Sequence, residues 1–171
     1  MAELRVKSRS ELRGARRRQG HSCWDHLIVA PLWAQHRANL GTLLRTCDAV
    51  GACMAVPSHD WVKNALRKGN TLPGPSCVHR VGNPQNWLLK QRERGSHIIG
   101  VELAEGATRL GDLRAARGRT VVVLGHEFSG IPSDTLHLLD EAVEIPMIGR
   151  GASLNVAVAG SLVLYRLAGL A

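Results

Sequence analysis

Three short segments hold the side chains best suited to chemistry. They are Asn39-Leu-Gly-Thr-Leu-Leu-Arg45, Gly125-His-Glu127-Phe-Ser-Gly130, and Ile145-Pro-Met147-Ile-Gly149-Arg-Gly151-Ala-Ser153-Leu-Asn155. Together they offer a guanidinium, a carboxylate, carboxamides and a hydroxyl, a set able to orient a polar substrate and stabilise charge developing on oxygen. Their glycines let backbone amides approach a flat ligand closely. Several familiar signatures are missing. No Gly-x-Gly-x-x-Gly follows a strand, and Gly125 to Gly130 has P-loop spacing without the Lys and Ser/Thr that should come next. Neither Ser129 nor Ser153 sits in a Gly-x-Ser-x-Gly elbow. Dehydrogenase, NTPase and serine-hydrolase chemistry are therefore set aside.

These segments need a scaffold that brings them together. Aliphatic or β-branched runs at 26–30, 53–56, 97–101, 120–124 and 142–146 alternate with stretches of helical periodicity. That alternation predicts an α/β domain with a mostly parallel sheet and helices on both faces. In such a sheet the loops leaving the strands' carboxyl ends share one edge, where ligands bind. Each polar segment follows a strand candidate, so the three are expected to line one crevice. The helix after the first strand is marked at both ends: Asn39 stands where an N-cap belongs and Gly51 where a C′ glycine belongs. Leu40, Leu43, Leu44, Cys47 and Val50 gather on one face of it, with Arg45 opposite. Residues 69–84, rich in Gly and Pro, read as an irregular connection around one short strand near Val78.

The 171 residues suit a single compact domain. The formal net charge of +8 points to a polyanionic partner such as nucleic acid. Five of those eight charges fall in the first twenty residues, so residues 1–22 are read as a basic, helical arm and 23–171 as the folded domain. Arg13, Arg16, Arg17 and Arg18 of the arm are candidate RNA contacts. Cys23, Cys47, Cys53 and Cys77 form no Cys-x-x-Cys pair, and the histidines show no zinc-binding spacing, so no metal site is expected. No apolar region follows the basic start as in a signal peptide. Ser153 to Leu170, the most apolar segment, is interrupted by Asn155 and Arg166 and reads as a buried helix, not a membrane span. A cytoplasmic protein with reduced thiols is expected.

Taken in order, the three segments resemble the three motifs of the SpoU family of RNA 2′-O-ribose methyltransferases, within the SPOUT class. NLGTLLRT resembles the family's Asn-x-Gly-x-x-x-Arg-Thr, GHEFSG its Gly-x-Glu-x-x-Gly, and IPMIGRGASLNV its Ile-Pro-Met…Ser-Leu-Asn-Val. The resemblance spans roughly 24–168, and the third motif is the most specific. It implies a C-terminal trefoil knot, a homodimer, and S-adenosylmethionine (AdoMet) as methyl donor. It also implies that Arg45 is the central catalytic side chain, with Asn39, Glu127, Ser153 and Asn155 completing the polar site. Leu103, Leu124, Gly125, Gly130, Ile145, Met147 and Leu154 would line the cofactor pocket. By residue type alone Arg45 is a solvated helix arginine, Asn39 and Ser153 are N-caps and Glu127 is a loop carboxylate; the ordered triplet of motifs outweighs those readings.

A guanidinium stays charged in a protein. Arg45 is therefore expected to stabilise a ribose oxyanion beside a phosphate, with the proton leaving through phosphate or water; the alternative, which the resemblance implies, is a neutral Arg45 acting as the base. Glu127 is suited to pair with Arg45 or an incoming hydroxyl. The short segment before the domain favours tRNA over ribosomal RNA, and Arg45-Thr-Cys-Asp-Ala-Val-Gly51 is most like members that methylate a D-loop guanosine. Ending at Ala171 and carrying Cys47 in place of alanine are departures from those members. The alternatives are an rRNA methyltransferase and a knotted RNA-binding factor that no longer methylates.

Overall fold

The structure, a computed structural model, describes residues 5, 6, 8, 27–69 and 77–171. Arg13, Arg16, Arg17 and Arg18, with nearly all of the expected basic helix, lie outside the described residues. Among the described residues seven strands form one parallel sheet: β1 (Leu27–Pro31), β2 (Cys53–Pro57), β3 (Val78–Val81), β4 (His97–Val101), β5 (Thr108–Arg109), β6 (Thr120–Leu124) and β7 (Glu141–Glu144). The spatial order is β3-β2-β1-β6-β4-β7-β5, and every described pairing is parallel. The central strands β1, β2 and β6 are buried along their whole lengths. Their continuous apolar runs are what a parallel strand covered on both faces requires.

Helices α1 (Arg37–Val50), α2 (Asp60–Gly69) and α4 (Val156–Leu167) cover one face. Helix α3 (Pro84–Glu93) and a 3-10 segment, Ser133–Leu138, cover the other. Alternation along the strands divides the core accordingly: Leu27 and Val29 pack toward α1 and α4, while Ile28 and Ala30 pack toward Leu88 and Leu138. Helix α4 lies against α1, β1 and β6 although it follows β7, so the chain returns from near the sheet's edge to its centre. At the crossing, a Cβ on Gly160 would stand 2.7 Å from Leu124 Cδ1 and 2.9 Å from Leu43 Cδ2. No helix among the described residues is long and apolar enough to cross a membrane.

Two sequence expectations, and one reading by residue type alone, need correction. Asn39 is not the N-cap of α1: the helix starts at Arg37 behind His36, which makes no side-chain capping bond. The carboxamide of Asn39 is instead engaged in tertiary hydrogen bonds from the first turn. Ser153 does not cap α4 either; Asn155 does, its Oδ1 accepting from the Ala157 and Val158 amides at 2.9 and 3.3 Å. Gly51 does close α1 in the left-handed region, at φ 73°. Lastly, Cys53 and Cys77 form a disulfide, so reduced thiols do not describe this pair. Pairing of β2 with β3 brings their Cα atoms to 4.9 Å across 24 residues of chain, a proximity that spacing alone does not disclose.

Candidate active site

The site forms where β1, β6, β4 and β7 end. After β6 the chain makes a tight reversal: His126 N donates to Gly130 O at 2.9 Å and Gly130 N to His126 O at 3.0 Å. Residue 125 must be glycine for this reversal, because a Cβ there would overlap the Gly130 carbonyl carbon and the Ile131 nitrogen. Two carboxylates pin the reversal from opposite sides. Glu102, just past β4, accepts from Ile131 N at 2.8 Å and from Leu103 N at 3.1 Å. Glu127 accepts from Gln35 N at 3.1 Å, His36 N at 3.0 Å and Asn39 Nδ2 at 2.9 Å.

Those bonds give Glu127 its charge state. Burial pushes its carboxyl upward, but bonds from the His36 and Gln35 amides, its own backbone and the Asn39 carboxamide outweigh this, taking the pKa from 4.5 to about 2. Glu127 is therefore a fixed anion and a poor proton acceptor near neutral pH. The relay continues from Asn39, whose Oδ1 accepts from Asn155 Nδ2 at 2.9 Å. Donor and acceptor assignments at the three side chains agree: the Asn39 amide nitrogen faces the carboxylate, its oxygen faces the Asn155 nitrogen, and the Asn155 oxygen caps α4.

Beside this chain of bonds lies a cavity of about 310 Å³, within the size range of small-molecule sites. Leu103, Leu124, Gly125, Glu127, Gly130, Ile145, Met147, Ser153 and Leu154 all line it, so segments from 103 to 154 meet at one place. Asn39 and Asn155 stand behind Glu127 in the relay and are not part of the lining. Arg45 is also outside the lining, exposed on α1 six residues past Asn39, or about 9 Å along the helix at 1.5 Å per residue. Glu127 is held by Gln35, His36 and Asn39.

Glu102 and Phe128 also line the cavity and were missed in the sequence. The signal for Glu102 was available: an acidic residue directly after a strand at the ligand-binding edge. Phe128 is 86% exposed, with its ring 5.8 Å from that of His126 and 6.4 Å from that of His36. At the opposite edge of the sheet, Cys53, Cys77 and His79 gather with their ligand atoms within 4.8 Å. The disulfide occupies both sulfurs there. The remaining described thiol, Cys47, is buried, and burial pushes its pKa up to about 12, so it is inert.

A family model described as the SpoU rRNA Methylase family matches residues 26–165. A tRNA (guanosine(18)-2′-O)-methyltransferase of Aquifex aeolicus is 32% identical over 81% of this chain and 67% of its own length. A protein with the same description from Escherichia coli K12 is 30% identical over 74% of this chain and 56% of its own length. The chain thus spans between about half and two thirds of these relatives. The solved structure of an AdoMet-bound rRNA methyltransferase from Sinorhizobium meliloti superposes with a TM-score of 0.70 at 25% identity, covering 83% of this chain and 55% of that one. The stretch recognised by the family model contains the parallel sheet, the Glu127–Asn39–Asn155 relay and the whole lining of the cavity, and on that ground the chain belongs to the SpoU rRNA methylase family.

Proposed function

We propose that this protein transfers a methyl group from AdoMet to a ribose 2′-hydroxyl of RNA, with tRNA as the substrate class and a D-loop guanosine as the favoured target. The observation that carries the reading is the convergence of the three polar segments: Asn39, Glu127 and Asn155 joined by hydrogen bonds at the rim of a cavity that Ser153 also lines.

The cavity suits the donor. Leu124, Val143, Ile145, Met147 and Leu154 provide apolar walls for a planar purine, and the carboxylates of Glu102 and Glu127 suit a cationic sulfonium compound. AdoMet, when bound, supplies a methyl group already activated by its sulfonium. The protein's own work is to position and deprotonate the acceptor. Ser153 and the carboxamide relay orient the ribose edge. Arg45, as a permanent cation on α1, stabilises the developing 2′-alkoxide, and the proton leaves through an RNA phosphate or water. Glu127 is a positioning residue held as an anion, a role its low pKa supports.

Two further parts of the reading are proposals of the same standing. The return of the chain from β7 to α4, packed against β1 and β6, supports a trefoil knot closed by the 145–155 loop. The α4 stripe of Val158, Leu162 and Tyr165, 46%, 41% and 38% exposed at i, i+4 and i+7, supports a homodimer whose interface lies beside the site. The test is to incubate the protein with labelled AdoMet and bulk tRNA and to map ribose methylation by mass spectrometry. Methyl groups on tRNA riboses are the expected result. RNA binding without AdoMet binding or transfer would replace this reading with a non-catalytic RNA-binding factor.

A further inference from the structure

A second cleft, of about 590 Å³, opens across the 126–130 reversal from the cofactor cavity. Its walls come from the segments that follow β1 and β2 and from the far side of the reversal. His126 and Gly130 border both spaces, so one thin piece of chain separates them. The chemistry of the cleft differs from that of its neighbour. Two half-buried indoles, Trp33 and Trp61, contribute to its lining, together with the imidazoles of His59 and His126 and the guanidinium of Arg37. No carboxylate lies among the described residues that line it. At His126 the Phe128 and Ser129 amides point to Nδ1 at 3.1 and 3.4 Å. Nδ1 is then the acceptor, and the neutral ring keeps its proton on Nε2, as a donor.

Aromatic faces, hydrogen-bond donors and a cation, in a lining that holds no carboxylate, are the features that recognise an unstacked nucleotide: the base lies on an indole and the phosphate meets the guanidinium. The position fits the same occupant. A ribose held at Ser153 and the Asn39–Glu127–Asn155 relay must place its base and phosphates to one side, and the cofactor cavity takes the other. From these observations we infer that the cleft between Trp33, Trp61 and His126 holds the base of the nucleotide to be methylated, withdrawn from its stack, with Arg37 on an adjacent phosphate. This inference rests on the RNA-methylation reading given above.

The test measures tRNA binding by anisotropy, AdoMet binding by calorimetry and methyl transfer to bulk tRNA, using the full chain. Trp61→Ala and Trp33→Ala are expected to weaken tRNA binding and raise KM for tRNA by roughly 5- to 150-fold, the range for loss of one base–aromatic stack, with AdoMet affinity unchanged. Trp61→Phe keeps an aromatic face and should restore most of the loss, whereas Trp61→Leu, which restores apolar volume without that face, should not. Because both indoles also pack on the core, the exposed Arg37→Ala and His59→Ala provide a second arm with little risk to folding, and each is expected to raise KM for tRNA. Wild-type tRNA affinity in all four variants overturns the inference, as does a loss confined to AdoMet affinity. Wild-type protein that transfers no methyl group to any RNA sinks the methylation reading separately, and the binding arm still decides whether the cleft takes RNA.

Discussion

Asn155 Nδ2 donates a 2.9 Å hydrogen bond to Asn39 Oδ1, linking residues 116 positions apart in the chain. Through it the N-terminus of the last helix, the first turn of α1 and the loop after β6 share one polar junction. Each carboxamide is used at both ends: Asn39 donates to Glu127, and the Asn155 oxygen caps α4. The junction thus belongs to the packing of the fold as well as to the site.

Asn155→Ala should accordingly show two effects. Loss of the α4 cap costs about 1 kcal/mol of stability. Loss of the bond to Asn39 releases the relay, and turnover should fall further than the stability change explains. Urea denaturation and single-turnover methyl transfer on the same preparation separate the two; a variant of reduced stability with full turnover would place the relay outside catalysis.

Arg45→Ala is expected to abolish methyl transfer while leaving AdoMet affinity within about twofold, because Arg45 lies outside the cofactor cavity. Arg45→Lys keeps the charge but not the planar fork, and should recover little. Near-normal turnover in the alanine variant would remove Arg45 from the mechanism.

Glu127 provides a pH signature. Its pKa is depressed on folding, so its stabilising contribution is complete above about 4.5 and disappears as pH falls through about 2. Glu127→Gln, which places an amide opposite three N–H donors, should lose about 1 kcal/mol near neutral pH once solvent screening of this partly exposed group is allowed for, and the difference from wild type should shrink near pH 2. Denaturant titrations at both pH values check this. A wild-type activity limb with an apparent pKa near neutrality that vanishes in this variant would show that Glu127 does exchange the proton.

Gly125→Ala tests the reversal. The added methyl overlaps backbone that cannot swing aside, so a cost of about 1–3 kcal/mol and loss of AdoMet binding are expected together. Thermal unfolding with and without AdoMet reads both; wild-type protection by the ligand would show that the reversal adapts.

Leu162→Asp places a charge in the exposed apolar stripe of α4 and should convert a dimer to a monomer in sedimentation velocity without unfolding the chain. An unchanged sedimentation coefficient would move the interface elsewhere.

Much of this arrangement could be read from the chain. β4 and β6 begin and end where their apolar runs do, β1 is displaced by one residue, and β7 starts one residue before its run and ends two residues short of it. Leu40, Leu43, Leu44 and Cys47 are buried on one face of α1, as their spacing requires. The start of α1 was misplaced because the same carboxamide that caps helices can serve a tertiary contact, and only the fold decides which. The two residues of β5 leave no periodicity to detect. Cys53 meets Cys77 through strand register, and Trp33 approaches Trp61 through the adjacency of β1 and β2; both are properties of the sheet order, invisible in spacing.

Under the RNA-methylation reading proposed above, the wall shared by the two spaces limits how such a protein can diverge. A change in the five residues from His126 to Gly130, or in Glu102, whose carboxylate accepts from the next amide, disturbs both spaces together. On that reading, changes confined to one space fall on the outer banks, at 32–37 and 57–61 for the proposed nucleotide cleft and at 101–103 and 145–154 for the proposed donor cavity. Directed evolution toward another target nucleotide would therefore do best to randomise the banks and leave the partition intact.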